Sequence, residues 1–421
     1  MTQLLILGAG TAGTMAANRL RAGLPSSWII TVVDTDNRHH YQPGYLLVPF
    51  GRYPPQRLSR PRRAQLANGI DFVQGRITRV HPETRRVDLN DGRSLAYDWL
   101  VIASGTQPHP DLVPGLADPA IWHATIPDPT GATAFDFYTL PGATALRAAL
   151  AAFDGGRILV HIAEMPIKCP IALEFAFLAD DYFRGRRIRH KTDISYVTPL
   201  DGAFTKPVAS AALGSLLDDR SIRLVTDFAV SQVDPQGKQL VSHDGRALPF
   251  DLLVTVAPNM GAQFVIDSGL GDDLGFVPVD KHTLRADADE RMFAVGDAAN
   301  APVSKAGAVA HFEVEHLVAN LQAAIHGQPL SSRFDGHANC FLETGRGRAL
   351  LLDFNYDTEP LPGVFPYPMI GPMKLLGESR LNHWGKLAFE RLYWRRLLPG
   401  KRLPLPTDMS MTGKRPAALG K

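Results

Sequence analysis

Cysteine is scarce in this chain, with two residues among 421. That excludes a disulfide framework and suits a reducing compartment, yet leaves room for one redox-active pair. Long apolar runs are missing too. No stretch of about 18 apolar residues occurs, so no segment is expected to span a bilayer. The formal net charge of +2 is too small to argue for nucleic acid as a partner. No signal or transit peptide is expected, because the first strand begins by Gln3. What is present is an ordinary globular composition, 45% hydrophobic and 20% charged, over a length that suits two or three domains.

The sharpest local signal lies at the N-terminus. An apolar strand, Leu4 to Leu7, runs into Gly8-Ala9-Gly10-Thr11-Ala12-Gly13, which opens a helix to about Ala22. A second strand, Trp28 to Val33, ends at Asp34. A glycine motif placed between strand and helix, about 20 residues ahead of an acid, is a dinucleotide-binding fingerprint. The glycines permit a tight turn and close approach of a pyrophosphate to the helix N-terminus, and Asp34 can accept hydrogen bonds from a ribose. A later strand, Trp99–Ala103, ends in Ser104-Gly105-Thr106, small residues that suit close backbone approach by a cofactor. Further on, RMFAVGDAA (291–299) sets Gly296-Asp297 ahead of a helix running from about Gly307 to Ile325. Asp297 there either caps a helix or bonds a cofactor's hydroxyls, and Lys305 stands where it can reach the same group.

Between these motifs, Asp71–Gln74, Ile77–Val80 and Arg86–Leu89 read as short strands, and the pattern recurs. Shifted by 153 residues, Val80–Val101 lies over Val233–Val254 without a gap, matching Pro82, Asp91-Gly92-Arg93 and Asp98 to Pro235, Asp244-Gly245-Arg246 and Asp251. Such an internal repeat points to two copies of one architecture. The same shift sets Gly8, Gly10 and Gly13 over His161, Ala163 and Pro166, while by pattern Thr198 replaces Asp34. The second copy has therefore lost both the pyrophosphate glycines and the ribose acid. In their place GGRILVHIAEMPIKCPIALEFA (155–176) offers a strand, a loop with Lys168 and Cys169, and a helix from about Ile171. His161 is read as a satisfied core histidine, with proton transfer as the alternative.

The last eighty or so residues differ in character. Cys340-Phe341 begins a strand-like segment, followed by Ala349–Tyr356 and a proline-rich loop. Residues 373–398 read as an amphipathic, basic helical stretch with Trp384, Tyr393 and Trp394, suited either to a membrane interface or to docking on the protein's own core. Lys374, Arg380, Lys386, Arg391, Arg395 and Arg396 supply its charge, and residues 407–421 are expected to be disordered.

Taken together, GAGTAG with Asp34, VIASGTQP (101–108), PIKCP (166–170), MFAVGDAA (292–299), SKAGAVAHFE (304–313), Cys340-Phe341 and the basic tail (371–400) resemble the sulfide:quinone oxidoreductases. These sit within the class of flavoproteins that also holds flavocytochrome c sulfide dehydrogenase and type II NADH dehydrogenases. The resemblance implies an α/β, glutathione-reductase-like fold with two Rossmann-like domains plus an amphipathic membrane-binding helical tail. Residues 1–115 and 285–335 would form the FAD-binding domain, 116–284 a second domain with a degenerate NAD site, and 336–421 a C-terminal segment. Gly8, Gly10, Thr11, Ala12, Gly13, Asp34, Ile77 (through its backbone), Gly105, Gly296, Asp297 and Lys305 would contact FAD. Cys169 and Cys340 would form the redox pair, and Phe341, Phe365 and Tyr367 are candidates for a quinone wall. Many members carry a third cysteine near the region matching Ala132–Leu140, where this chain has Phe135, Phe137 and Tyr138, so non-covalent FAD is expected.

The implied chemistry is a two-electron oxidation of sulfide. Hydrosulfide opens a Cys169–Cys340 disulfide, leaving a persulfide on one cysteine and a thiolate on the other, and electrons pass through FAD to membrane quinone. Lys168 beside Cys169 would favour the thiolate. The expected location is peripheral, monotopic on a cell membrane; homo-oligomerisation and the sulfur acceptor stay open. Three rival readings are an NADH:quinone oxidoreductase, a sulfide dehydrogenase that feeds a cytochrome subunit, and a non-enzymatic, flavin-bound sulfur carrier or sensor.

Overall fold

The computed structural model describes residues 1–126, 131–164, 171–366, 371–403 and 406–415. The first unit forms around Gln3–Leu7, an apolar run with no polar alternation, as expected of a strand covered on both faces in a parallel sheet. It lies between Ile29–Asp34 and Trp99–Ile102, with Leu4 opposite both Ile30 and Trp99. Ile70–Gln74 and Met292–Ala294 complete this five-stranded sheet at its edges, and α1 (Thr11–Gly23) follows the first strand. A second five-stranded parallel sheet centres on Gly156–Ile162, between Leu252–Val256 and Thr192–Val197. It is accompanied by α2 (Leu140–Ala152), α3 (Ile171–Gly185) and α4 (Pro207–Asp219).

The internal repeat is present down to its irregularities. Ile77 opposes Leu89 and Arg79 opposes Asp88, with a bulge between the pairs; Val230 opposes Ser242 and Gln232 opposes Val241, with the same bulge. Gly92 and Gly245 both turn with φ 85°, and Arg85 and Lys238 with φ 51° and 49°. The parallel registers revise the rest of the alignment by one residue. Leu4 opposes Trp99, whereas Ile158 opposes Leu252, which is Trp99 shifted by 153. Gly8 and Gly10 therefore correspond to Ile162 and Glu164, not to His161 and Ala163, and the counterpart of Gly13 lies outside the described residues. The second copy is one residue shorter between strand and meander, which a gapless shift cannot register. The glycines are lost either way.

After Val256 the chain crosses back. Asn259–Gly261 pairs antiparallel with Thr106–Pro108, and α5 (Gln263–Asp267) packs on the strand Ile77–His81. Phe264, Val265, Leu270 and Val277 share a core with Leu5, Leu7, Leu100 and Ile102. Residues 262–284 thus belong to the first unit, and the boundary expected at 284 moves back to about Val256. Helix α6 (Gly307–Ile325) then packs against α1.

The C-terminal segment opens with a hairpin, Ala338–Gly345 with Arg348–Phe354, laid against α3 and α7 (Arg380–Leu392). Met373–Leu375 is a strand, so the helical stretch begins at Arg380 rather than at 373, with Ser379 Oγ accepting from the Asn382 amide at 3.0 Å as the cap. One face of α7 is left open: Leu381, Trp384 and Leu387 are 54%, 69% and 37% exposed. Tyr393 and Trp394 depart from expectation. They are buried against the first unit, Trp394 under the Arg60 guanidinium 4.1 Å from its ring centre, because the helix widens over Tyr393–Leu397 and turns inward. Of the tail expected to be disordered, residues 407–415 are instead held, with the Val364 amide bonded to the Gly413 carbonyl at 3.0 Å and Lys414 paired with buried Asp353 at 2.6 Å, while 416–421 lie outside the described residues.

Candidate active site

One cleft of about 440 Å³ runs from the N-terminal glycine loop to the C-terminal hairpin. At one end stand Gly8, Gly10, Thr11, Ala12 and Asp34; along its floor stand Gly105, Gly296, Asp297 and Lys305. At the other end Phe137, Tyr138, Ile171 and Glu174 of the second unit meet Cys340, Phe341, Lys386 and Phe389. Two residues expected at the cofactor are not on this wall. Gly13 lies behind it, where a Cβ would sit 1.9 Å from the Gly8 carbonyl oxygen, so this glycine lets helix and strand pack closely. Ile77 lies on the meander strand opposite Leu89 and packs into the first unit's second core. Phe365 is not on the wall either, and Cys169, Lys168 and Tyr367 lie outside the described residues.

The glycine loop is held from several sides. Asp34 accepts from the Ala9 amide at 2.7 Å and pairs with Arg62 at 3.1 Å, and Arg62 also bonds the Ala9 carbonyl. A Cβ on Gly10 would meet no atom of the protein within 4 Å, which leaves an open cradle at the helix N-terminus. Ser104 Oγ, Thr106 Oγ1, His40 Nδ1 and Asn339 Nδ2 are buried on cleft-lining residues with no hydrogen-bond partner. Buried polar atoms are rarely left unpaired, so these mark places where a bound group completes the bonding. A cradle at one end, an acid for a ribose and orphaned polar atoms along the floor together fit an extended dinucleotide such as FAD.

Sequence reading missed the polar pair at the far end. Glu174 is buried on α3, bonds the Glu343 amide at 2.7 Å and pairs with Lys386, whose Nζ also donates to the Phe341 carbonyl at 3.0 Å. Burial pushes the Glu174 carboxyl up, against the pull of Lys386. A lone acid within Leu173-Glu174-Phe175 was the available signal. Lys386, read as part of a basic outer face, instead turns inward. Lys305 is buried, which lowers its pKa, and donates to the Ala299 carbonyl. His161 is buried with Nδ1 2.9 Å from Thr255 Oγ1, but its buried Nε2 has no partner among the described residues, so it is not the fully satisfied core histidine expected; burial pushes its pKa down to about 3, so the ring stays neutral near pH 7.

His161 belongs to a set with a common consequence. Burial also lowers His39 to about 3 and His311 to about 4, while it raises Glu313, bonded to the Gly296 amide at 2.8 Å, to about 7. A depressed histidine gives stability that is present above about pH 6.5 and lost as pH falls; a raised carboxyl works in the opposite sense between about pH 4.5 and 7. Three histidines against two carboxyls, Glu174 and Glu313, leave the unfolded chain with about one to two extra protons near pH 5. Stability should therefore fall by up to about 3 kcal/mol per pH unit there. Urea unfolding of the apoprotein at pH 7.5 and 5.5 checks this; equal midpoints would contradict it.

The pyridine nucleotide-disulphide oxidoreductase family matches residues 2–324. The chain is 25% identical over 407 residues to the mitochondrial sulfide:quinone oxidoreductase of Mus musculus, covering 94% of this chain and 86% of that protein. It is 26% identical over 420 residues to the protein of the same name from Dictyostelium discoideum, covering 95% and 87%. The crystal structure of the sulfide:quinone oxidoreductase from Aquifex aeolicus superposes with a TM-score of 0.76 at 18% identity, covering 95% of this chain and 92% of that one. With more than half its length matched, the chain belongs to the pyridine nucleotide-disulphide oxidoreductase family.

Proposed function

We propose that the protein is an FAD-dependent sulfide:quinone oxidoreductase. The observation that carries this reading is the continuity of the cleft, which has the dinucleotide cradle at one end and Cys340 at the other. FAD bound there supplies two-electron acceptance from sulfur and donation to quinone. Gly10 and the α1 N-terminus would hold its pyrophosphate, Asp34 its ribose, and Ser104, Thr106 and Asp297 would bond along its length. Binding is expected to be non-covalent.

Cys340 and Cys169 are the proposed redox pair. Hydrosulfide attacks one sulfur of their disulfide; one S–S bond breaks, another forms, and the products are a persulfide and a thiolate. Overall, hydrosulfide gives up two electrons and a proton and leaves one sulfur atom for an acceptor, and quinone takes up two electrons and two protons. Phe341 and Phe389 form an apolar wall beside Cys340, suited to a quinone ring, while Lys386 and Glu174 provide a polar pair at the same end. Ile162 and Glu164 at the second unit's glycine positions speak against nicotinamide binding.

The exposed Leu381, Trp384 and Leu387, flanked by exposed Arg380 and Arg391, support peripheral attachment to a membrane. Turnover of sulfide with decylubiquinone should exceed turnover with NADH at least 100-fold, and Leu381→Ser/Trp384→Ser should cut vesicle binding about tenfold or more. Equal NADH turnover would sink the reading, and unchanged vesicle binding would sink the attachment.

A further inference from the structure

The C-terminal segment that turns inward after α7 ends on the glycine loop. Tyr393 is fully buried, and its hydroxyl lies 2.8 Å from Thr11 Oγ1 and 2.6 Å from His39 Nε2. His39 Nδ1 in turn lies 3.1 Å from the Ala9 carbonyl oxygen. That carbonyl can only accept, so His39 carries its proton on Nδ1. His39 is also kept neutral by burial, with its pKa lowered to about 3, so Nε2 is an acceptor. Tyr393 must then donate to His39, and Thr11 must donate to Tyr393. The direction of every bond is fixed. The chain leaves the glycine loop at Thr11, passes through the C-terminal tyrosine and returns to the loop at Ala9.

The neighbouring contacts seat the same segment on the same unit. The Tyr393 ring centre lies 4.9 Å from that of Tyr41, Asn18 Nδ2 donates to the Leu398 carbonyl at 2.8 Å, and Glu390 takes a two-point bond from Arg57 at 3.0 and 2.7 Å. The loop that would receive a pyrophosphate is thus braced by residues about 380 positions away. Without Tyr393 in place, His39 Nε2 would be a buried acceptor with no donor, Thr11 would lose its tie, and the His39 ring would keep its bond to the Ala9 carbonyl without the brace behind it.

We propose that Tyr393 is a positioning residue of the FAD pyrophosphate loop, and that FAD binding and the seating of Tyr393–Gly400 are thermodynamically linked through the Thr11–Tyr393–His39–Ala9 chain. The proposal rests on the FAD reading above. Because such coupling is reciprocal, a seated segment tightens FAD, and bound FAD holds the segment down.

Limited trypsin digestion reads one direction, since Arg395 and Arg396 are exposed on the segment. In the full-length holoenzyme, cleavage there should be about tenfold slower than in the same chain stripped of FAD. Tyr393→Phe keeps the ring and loses the hydroxyl; it should release FAD about tenfold faster on dilution, followed by flavin fluorescence, and should show less than about threefold protection. Thr11→Val breaks the chain at its other end. The double variant should release FAD no faster than the quicker single variant, because the two changes remove one interaction. Equal cleavage with and without FAD in the unmodified protein, which needs no variant to fold, would overturn the linkage. So would single effects that multiply in the double variant, the result expected if Thr11 and Tyr393 act on FAD independently, and so would an unchanged release rate in Tyr393→Phe, the result expected of a tyrosine that only fills space. A chain that takes up no flavin, visible in its absorbance before any digestion, would overturn both the cofactor reading and the linkage.

Discussion

Cys340→Ser should lower sulfide-driven flavin reduction at least ~10³-fold while leaving FAD bound. Cys340 is the only cysteine among the described residues, is 8% exposed and faces the cleft between Asn339 and Phe341. Serine is close to isosteric, so the strand Ala338–Gly345 and its pairing of Cys340 with Leu352 should persist. A hydroxyl can neither form the proposed disulfide with Cys169 nor serve as the thiolate that its opening would leave. The loss should therefore appear in the reductive half-reaction alone, with the flavin absorbance and melting temperature of the variant close to those of the parent. Anaerobic stopped-flow with sulfide measures it. Retention of more than a tenth of the parent rate would remove Cys340 from the mechanism, and loss of flavin would move it from chemistry to structure.

The glycine loop gives the second large effect, because its glycines serve different ends. Gly8 adopts φ +102°, and a Cβ there would lie 2.3 Å from the Ala103 carbonyl oxygen. Alanine at that position must force neighbouring strand ends away from each other, so Gly8→Ala should cost several kcal/mol of apoprotein stability as well as FAD. Gly10 is the contrast. Its φ of −72° is open to any residue, and its Cβ would touch nothing in the protein. Gly10→Ala should leave the apoprotein's melting temperature within about 2 °C while weakening FAD binding about 100-fold, since the methyl occupies the space a pyrophosphate needs. Titration of each apoprotein with FAD, beside its thermal melt, separates the two. A Gly10→Ala chain that binds FAD normally would show that the cradle is not where the pyrophosphate sits.

Those glycines were legible in the sequence because their meaning is local: a strand, a turn and a helix start within a dozen residues. The repeat was legible for the same reason, since turn residues such as Gly92 and Gly245 carry their backbone angles with them. What escaped was set by distant partners. Tyr393 and Trp394 look like membrane-interface aromatics until His39 and Arg60 come within reach from more than 300 residues away. Lys386 reads as one more basic surface residue until Glu174 meets it from α3. The tail past Thr407 looks disordered by composition, but Asp353 gives Lys414 a buried partner. The one-residue slip in the repeat, from Ala163 to Glu164 as the counterpart of Gly10, needed the strand register to be seen.

Anaerobic mixing of the FAD-loaded protein with sulfide and, separately, with NADH separates sulfide oxidation from NADH oxidation at this flavin. Sulfide should bleach the flavin promptly, NADH should bleach it little or not at all, and added decylubiquinone should restore the oxidised spectrum. Bleaching by NADH with no response to sulfide would contradict the proposed sulfide oxidation.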